Sequence, residues 1–169
     1  MNSLRFFMLL FLSAACFAQA PPVASTPAPP SITVTGLITH PLVLTRDDLA
    51  RLPRSKAHLR EENGTEAEYE GVSLLQILDK AGAPSGKDLR GKAILDGVVA
   101  RATDGYTVVF TLAEVDPQFA GEDVLVADTR NGAPMVSPLG PFRLVCPQDH
   151  AGARSLRMLI ALDVAALVK

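Results

Sequence analysis

Apolar and polar positions alternate over several short runs, and helical spacing appears only in brief stretches between them. Residues 32–36 (ITVTG) are β-branched and alternating, the pattern of a half-buried strand. Thr45 followed by Asp47 and Asp48 reads as a capped helix start, and Pro53 limits that helix to a turn or two, ending by Leu52. The two acids need no further partner there, because carboxylates favour the positive end of a helix. Residues 57–61 and 66–70 flank Asn63-Gly64, which predicts a polar hairpin. After Gly71, Ser73 opens a helix whose apolar face is Leu74, Leu75, Ile77 and Leu78, with Gly82 just past its end.

The second half repeats the theme. Residues 93–102 and 106–110 read as strands around the Asp104-Gly105 turn. Thr111 with Glu114 forms a capping-box pattern for another short helix. Strands follow at 124–127 and 142–146, separated by the Asn131-Gly132 turn. Residues 155–164 read as a turn of helix entering a last strand, and 165–168 as a helical or frayed tail. Strands and short helices mix without regular β-α alternation, so the expected class is α+β, with no internal repeat.

The N-terminal segment obeys a different pattern. Arg5 precedes the apolar run 6–17 (FFMLLFLSAACF), and small residues follow it. Residues 1–20 therefore read as a secretion signal, cleaved after Ala18 or Ala20. The run is shorter than the roughly 20 residues that a bilayer span takes. A second reading places a lipid anchor at Cys16, where LSAAC loosely resembles a lipobox. Residues 21–30 are a Pro/Ala-rich linker, leaving residues 31–169 as one domain with a core of its own. The expected address is periplasmic or secreted, with no transmembrane span in the mature chain.

Charge and composition narrow the chemistry. The net charge is −2, with both signs interspersed, so the chain lacks the clustered basic face of a nucleic-acid binder. Of two cysteines, Cys16 lies in the signal, and Cys146 sits in the apolar FRLVCP run as a buried small hydrophobe. The three histidines, His40, His58 and His150, lack metal-ligand spacing. No GxSxG, P-loop, CxxC, HExxH or dinucleotide-binding glycine pattern is present. The polar stretch QDHAGARSLRML, with Asp149, His150, Arg154 and Arg157, is the place where arginines near a glycine loop can take an anion.

Six segments in order carry a resemblance: LTRDDLARLP (44–53), YEGVSLLQILDKAG (69–82), ATDGYTVVFTLAEVD (102–116), VLVADTRNGAPM (124–135), GPFRLVCP (140–147) and GARSLRMLIALDV (152–164). Together they resemble the molybdopterin-binding domain of the sulfite oxidase family, in its short secreted bacterial form. The resemblance implies a fold of mixed β-sheets with short helices. It also implies a cysteine thiolate on molybdenum, placed between the first helix and YEGVSL. Here residues 53–71 (PRSKAHLREENGTEAEYEG) contain no cysteine, and carboxylate or imidazole is no obvious replacement for a soft ligand. By the same resemblance Arg154 and Ser155 lie close to the cofactor, Asp104, Gly105 and Tyr106 match a conspicuous turn, and His58 falls in the region of the lost ligand.

The candidate cofactor-binding set is thus Arg154, Ser155, Tyr106 and His58, with no catalytic residue and no metal ligand assigned. The expectation is a non-catalytic binding or accessory protein for a small anionic or pterin-like ligand, or for a protein partner. No cofactor is expected, molybdopterin enters only through the resemblance, and the alternative is a molybdopterin-dependent oxidoreductase with altered metal ligation. The signal bears on this choice. Enzymes of the family load their cofactor in the cytoplasm and cross the membrane folded, usually behind paired arginines, whereas this segment has Arg5 alone before its apolar run.

Overall fold

The computed structural model describes residues 28–121 and 123–168. The expected signal and most of the linker lie outside these residues. Among the described residues, ten strands form two five-stranded sheets. The first sheet contains β1 (Ser31–Gly36), β2 (Leu42–Thr45), β5 (Asp96–Ala102), β6 (Thr107–Thr111) and β10 (Leu159–Ala166), in the order β2-β1-β10-β5-β6. Its strands are antiparallel except for the central β1–β10 pair, which joins the first strand to the last in parallel, with Val34 opposite Leu162. The second sheet contains β3 (Ser55–Arg60), β4 (Glu66–Ser73), β7 (Leu125–Arg130), β8 (Ala133–Pro134) and β9 (Arg143–Val145), with β8 and β9 both on β7.

Three short helices connect the strands, and local chemistry sets their ends. Helix α1 (Arg46–Ala50) starts in a reciprocal capping box: the Thr45 hydroxyl accepts from the Asp48 amide, and the Asp48 carboxylate accepts from the Thr45 amide. Helix α3 (Leu112–Val115) repeats the device with Thr111 and Glu114. Helix α2 (Leu74–Ala81) buries Leu74, Ile77, Leu78 and Ala81, and Gly82 ends it at φ +72°, a conformation that costs glycine little. Among the described residues no helix is long and apolar enough to cross a membrane.

The larger core takes side chains from both sheets: Ile32, Val34, Val98, Leu162 and Val164 from the first, Val72, Val126 and Leu144 from the second, together with the buried faces of the helices. The second sheet is also covered on its other face, where Ala57, Leu59, Ala67, Tyr69, Leu125, Ala127, Met135 and Val145 form a smaller cluster. Burial on both faces explains why β7 reads as an apolar run, LVA, without polar alternation.

Four local expectations change in the folded chain. Residues 93–95 belong to a 3₁₀ turn, Gly91–Leu95, and β5 starts only at Asp96. Gly91 at φ +60° turns the chain before it can enter the sheet. Residues 165–166 are neither helical nor frayed, because Ala165 and Ala166 continue β10 opposite Gly97 and Asp96. Pairing with β5 overrides the helix preference of alanine. The helical turn expected from Ser155 comes earlier, at Gly152–Arg154. Strand β2 has no counterpart in the sequence reading; only its pairing with β1 reveals it.

The register between β4 and β7 shifts at Glu70/Gly71, and this irregularity brings Gly71 onto the β7 backbone. A Cβ at Gly71 would lie 2.1 Å from the Val126 carbonyl oxygen. Backbone cannot yield as a flexible side chain does, so Gly71→Ala is expected to destabilise the domain by about 1–3 kcal/mol or more. Urea denaturation checks this. Wild-type stability in the variant would contradict the close approach.

Candidate functional site

A cleft of about 450 Å³ opens where the two sheets meet, within the usual size range of small-molecule sites. One wall is the end of β3 and the following turn, Leu59 to Glu62. The facing wall comes from the β5–β6 turn, with Asp104 and Tyr106, and from the segment after β9, with His150, Ser155 and Arg157. Arg143 of β9 completes the lining. Three arginines, three carboxylates and an imidazole thus surround a space that also touches Leu59, Ala102 and Leu156.

Hydrogen bonds hold the facing wall against β9. The Leu144 amide donates to the Leu156 carbonyl at 2.8 Å, and the Cys146 amide to the Ser155 hydroxyl oxygen at 3.1 Å. The Tyr106 hydroxyl donates to the Ala153 carbonyl at 3.1 Å, tying the β5–β6 turn to the same segment. The 3₁₀ turn Gly152–Arg154 therefore has a fixed place at the rim.

The cleft is built around a buried cation. Arg143 is only 4% exposed, and a fully buried arginine requires partners. Its Nη1 donates to the Tyr69 hydroxyl and to Glu61 Oε1, and its guanidinium also sits 4.9 Å from the centre of the Tyr69 ring. The Tyr69 hydroxyl in turn donates to Glu61 Oε1, while Arg130 Nε approaches the same carboxylate at 3.6 Å. Among the described residues, the buried Nε atoms of Arg143 and Arg130 have no hydrogen-bond partner. Burial pushes the Glu61 carboxyl up, but the Tyr69 hydroxyl and the charges of Arg143 and Arg130 outweigh it, leaving the group below the ordinary glutamate value. Burial and the adjacent Glu61 carboxylate raise the Tyr69 phenol.

The residues expected from the sequence separate into two groups. Tyr106 and Ser155 line the cleft, as do Asp104, His150 and Arg157. Arg154 and His58 are outside the lining. Arg154 instead grips Asp149 through two bonds of 2.6 and 2.9 Å, reaches Glu114 at 2.8 Å and lies over the Phe110 ring. It is a positioning residue that pins the rim segment to α3. The Asp149 and Glu114 carboxylates raise the Arg154 pKa further above its high ordinary value. His58 sits on the exposed face of β3, 4.0 Å from Glu68, in a ladder where Lys56 also pairs with Glu68 at 2.8 Å. Arg60, Glu61, Glu62 and Arg143 are charged lining residues that sequence reasoning missed. The available signal was a single arginine inside an otherwise apolar strand, FRLVC.

The family model described as "Oxidoreductase molybdopterin binding domain" matches residues 19–167. The chain belongs to this family. Its fold is that of the sulfite oxidase type, with mixed sheets and short helices. Among solved structures, the domain is similar to the sulfane dehydrogenase SoxCD from Paracoccus pantotrophus, with a TM-score of 0.61 and 23% identity over 81% of this chain. The match spans 38% of the SoxCD chain, so the domain corresponds to well under half of that protein. No curated protein matches the sequence.

The side chains present do not fit the molybdenum end of the family cofactor. Among the described residues no cysteine lines the cleft. Cys146 is 1% exposed within the larger core, and β3 and its turn carry Glu61 and Glu62. Among the described residues no group of three His, Cys, Asp or Glu side chains is placed to hold a metal ion.

Two outcomes follow from the buried network. Arg143→Ala should cost about 3–5 kcal/mol, because it leaves Glu61 without its main cation. The double variant Arg143→Met with Glu61→Gln should lose less than the sum of the single changes, and a denaturation cycle measures the difference. The pH dependence has a definite sign. Because the folded-state pKa of Glu61 is depressed, its stabilisation is fully present above the ordinary glutamate value of about 4.3. It is lost as the pH falls from there through the folded-state value. Glu61→Gln should therefore flatten the acid limb of stability against pH, and an unchanged limb would contradict this assignment.

Proposed function

We propose that this protein is a non-catalytic, exported member of the molybdopterin-binding domain family that binds a small organic anion in the cleft. The observation that carries the reading is the composition of the cleft: it presents Arg60, Arg143 and Arg157 and offers no thiol. Guanidinium groups suit carboxylate and phosphate oxygens, and a partly apolar, partly enclosed space raises the strength of such contacts. Molybdenum chemistry of the usual kind needs a soft thiolate where this chain supplies carboxylates that already bind arginine.

Family membership is what favours the alternative, an oxidoreductase with altered ligation. The tied-up state of Glu61 speaks against it, because a carboxylate bonded by Tyr69 and Arg143 is poorly placed to turn toward a metal. The export signal read from residues 1–20 agrees with a role outside the cytoplasm, where a binding or accessory protein meets small solutes or a larger partner.

Calorimetry against a panel of small organic acids, together with a turnover assay using sulfite or a sulfoxide and an artificial electron partner, tests this reading. Saturable binding of an organic acid without turnover is the expected result. Turnover at a rate beyond trace contamination would overturn it, as would failure to bind any acid in the panel.

A further inference from the structure

The three cleft arginines differ in how firmly their charge is already held. Arg143 is buried, and Glu61 and Tyr69 bond it directly. Arg157 is 42% exposed and pairs with Glu62 at 3.1 Å. Glu62 itself is 90% exposed and belongs to the turn between β3 and β4, on the opposite wall. Arg60 is exposed on that same wall, and its guanidinium has no hydrogen bond or ion pair among the described residues. The Glu62–Arg157 pair therefore crosses the mouth of the cleft, while Arg60 lines the same cleft with no side-chain partner among the described residues.

These states predict different responses to an incoming acid. Displacing Glu61 would strip a buried cation of its partner, which is costly. Displacing Glu62 breaks an exposed pair, and such a pair contributes only about 0–1 kcal/mol. The freed Glu62 carboxylate returns to water, so the exchange carries little desolvation cost. Resting on the anion-site reading above, we infer that Arg60 and Arg157 form an oxyanion clamp across the mouth and that Glu62 is its built-in competitor. The ligand is then an organic acid whose oxyanion group sits at the solvent end. Its body lies over the edges of Leu59, Ala102 and Leu156 that line the cleft, contacts an inorganic ion would not make. In this arrangement Glu62 holds Arg157 in place while the cleft is empty and gives way to a ligand acid.

The test is a set of titrations of the full mature chain with benzoate, phenyl phosphate, inorganic phosphate and benzyl alcohol. Glu62→Gln removes the competitor and is expected to tighten benzoate or phenyl phosphate about two- to fivefold, the factor that up to about 1 kcal/mol supplies. Arg157→Gln is expected to weaken them about tenfold, and in an Arg157→Gln background the Glu62→Gln gain should vanish. Phenyl phosphate should bind more tightly than inorganic phosphate, and benzyl alcohol should bind least. A preference for benzoate or for phenyl phosphate tells which oxyanion the clamp is built for. If the wild-type chain binds these acids while Glu62→Gln leaves their affinity unchanged or lower, the competitor is wrong and the anion site stands. Equal binding of benzyl alcohol overturns the clamp. If neither the wild type nor Glu62→Gln binds any of the acids, the clamp and the anion-site reading fall together.

Discussion

The arrangement of the cleft depends on one constraint: Arg143 is a buried cation and has to be neutralised where it stands. It lies on β9, beside Val145 on the inner side of the smaller core, so its partners must come from the strands packed there. Tyr69 on β4 and Glu61 at the end of β3 supply them. That requirement fixes the turn after β3 against β9, and the turn is one wall of the cleft. The facing wall hangs on the same strand through the Leu144 and Cys146 amides. The walls therefore share a foundation in β9, and Arg143 connects the stability of the smaller core to the shape of the site.

The same constraint separates family fold from family chemistry. On the proposed reading, the domain keeps its two sheets, its capped helices and its cleft, while the wall formed by the turn after β3 presents carboxylates in place of a soft ligand. Glu61 is not an idle surface acid, since three neighbours hold it. The network has become structural: it holds up the site and leaves Arg60 and Arg157 at the mouth as the more accessible cations.

Features encoded over a few neighbouring residues were legible in the sequence. Thr45 with Asp48 and Thr111 with Glu114 announce their helices because both partners of each capping box lie within one turn. Asn63-Gly64 and Gly82 mark a turn and a helix end for the same reason. Features encoded by distant pairing were not legible. Strand β2 exists because β1 offers it an edge, and Ala165 and Ala166 are extended because β5 reaches Asp96. The site divides along the same line. Tyr106 and Ser155 were found through the family resemblance, and they do line the cleft. Arg154 carried the same expectation, and its bond to Glu114, 40 positions earlier, is visible only in the fold. Arg143 and Glu61 lie 82 positions apart, so only the fold shows that they are a pair.

On the proposed reading, this domain keeps the family architecture without the family's metal. The most direct measurement is the molybdenum content and released pterin of protein made in a molybdenum-replete host and exported by its own N-terminal segment. Far less than one molybdenum per chain and no pterin fluorescence after denaturation are the expected result. About one molybdenum per chain, with an equivalent of pterin, would contradict it.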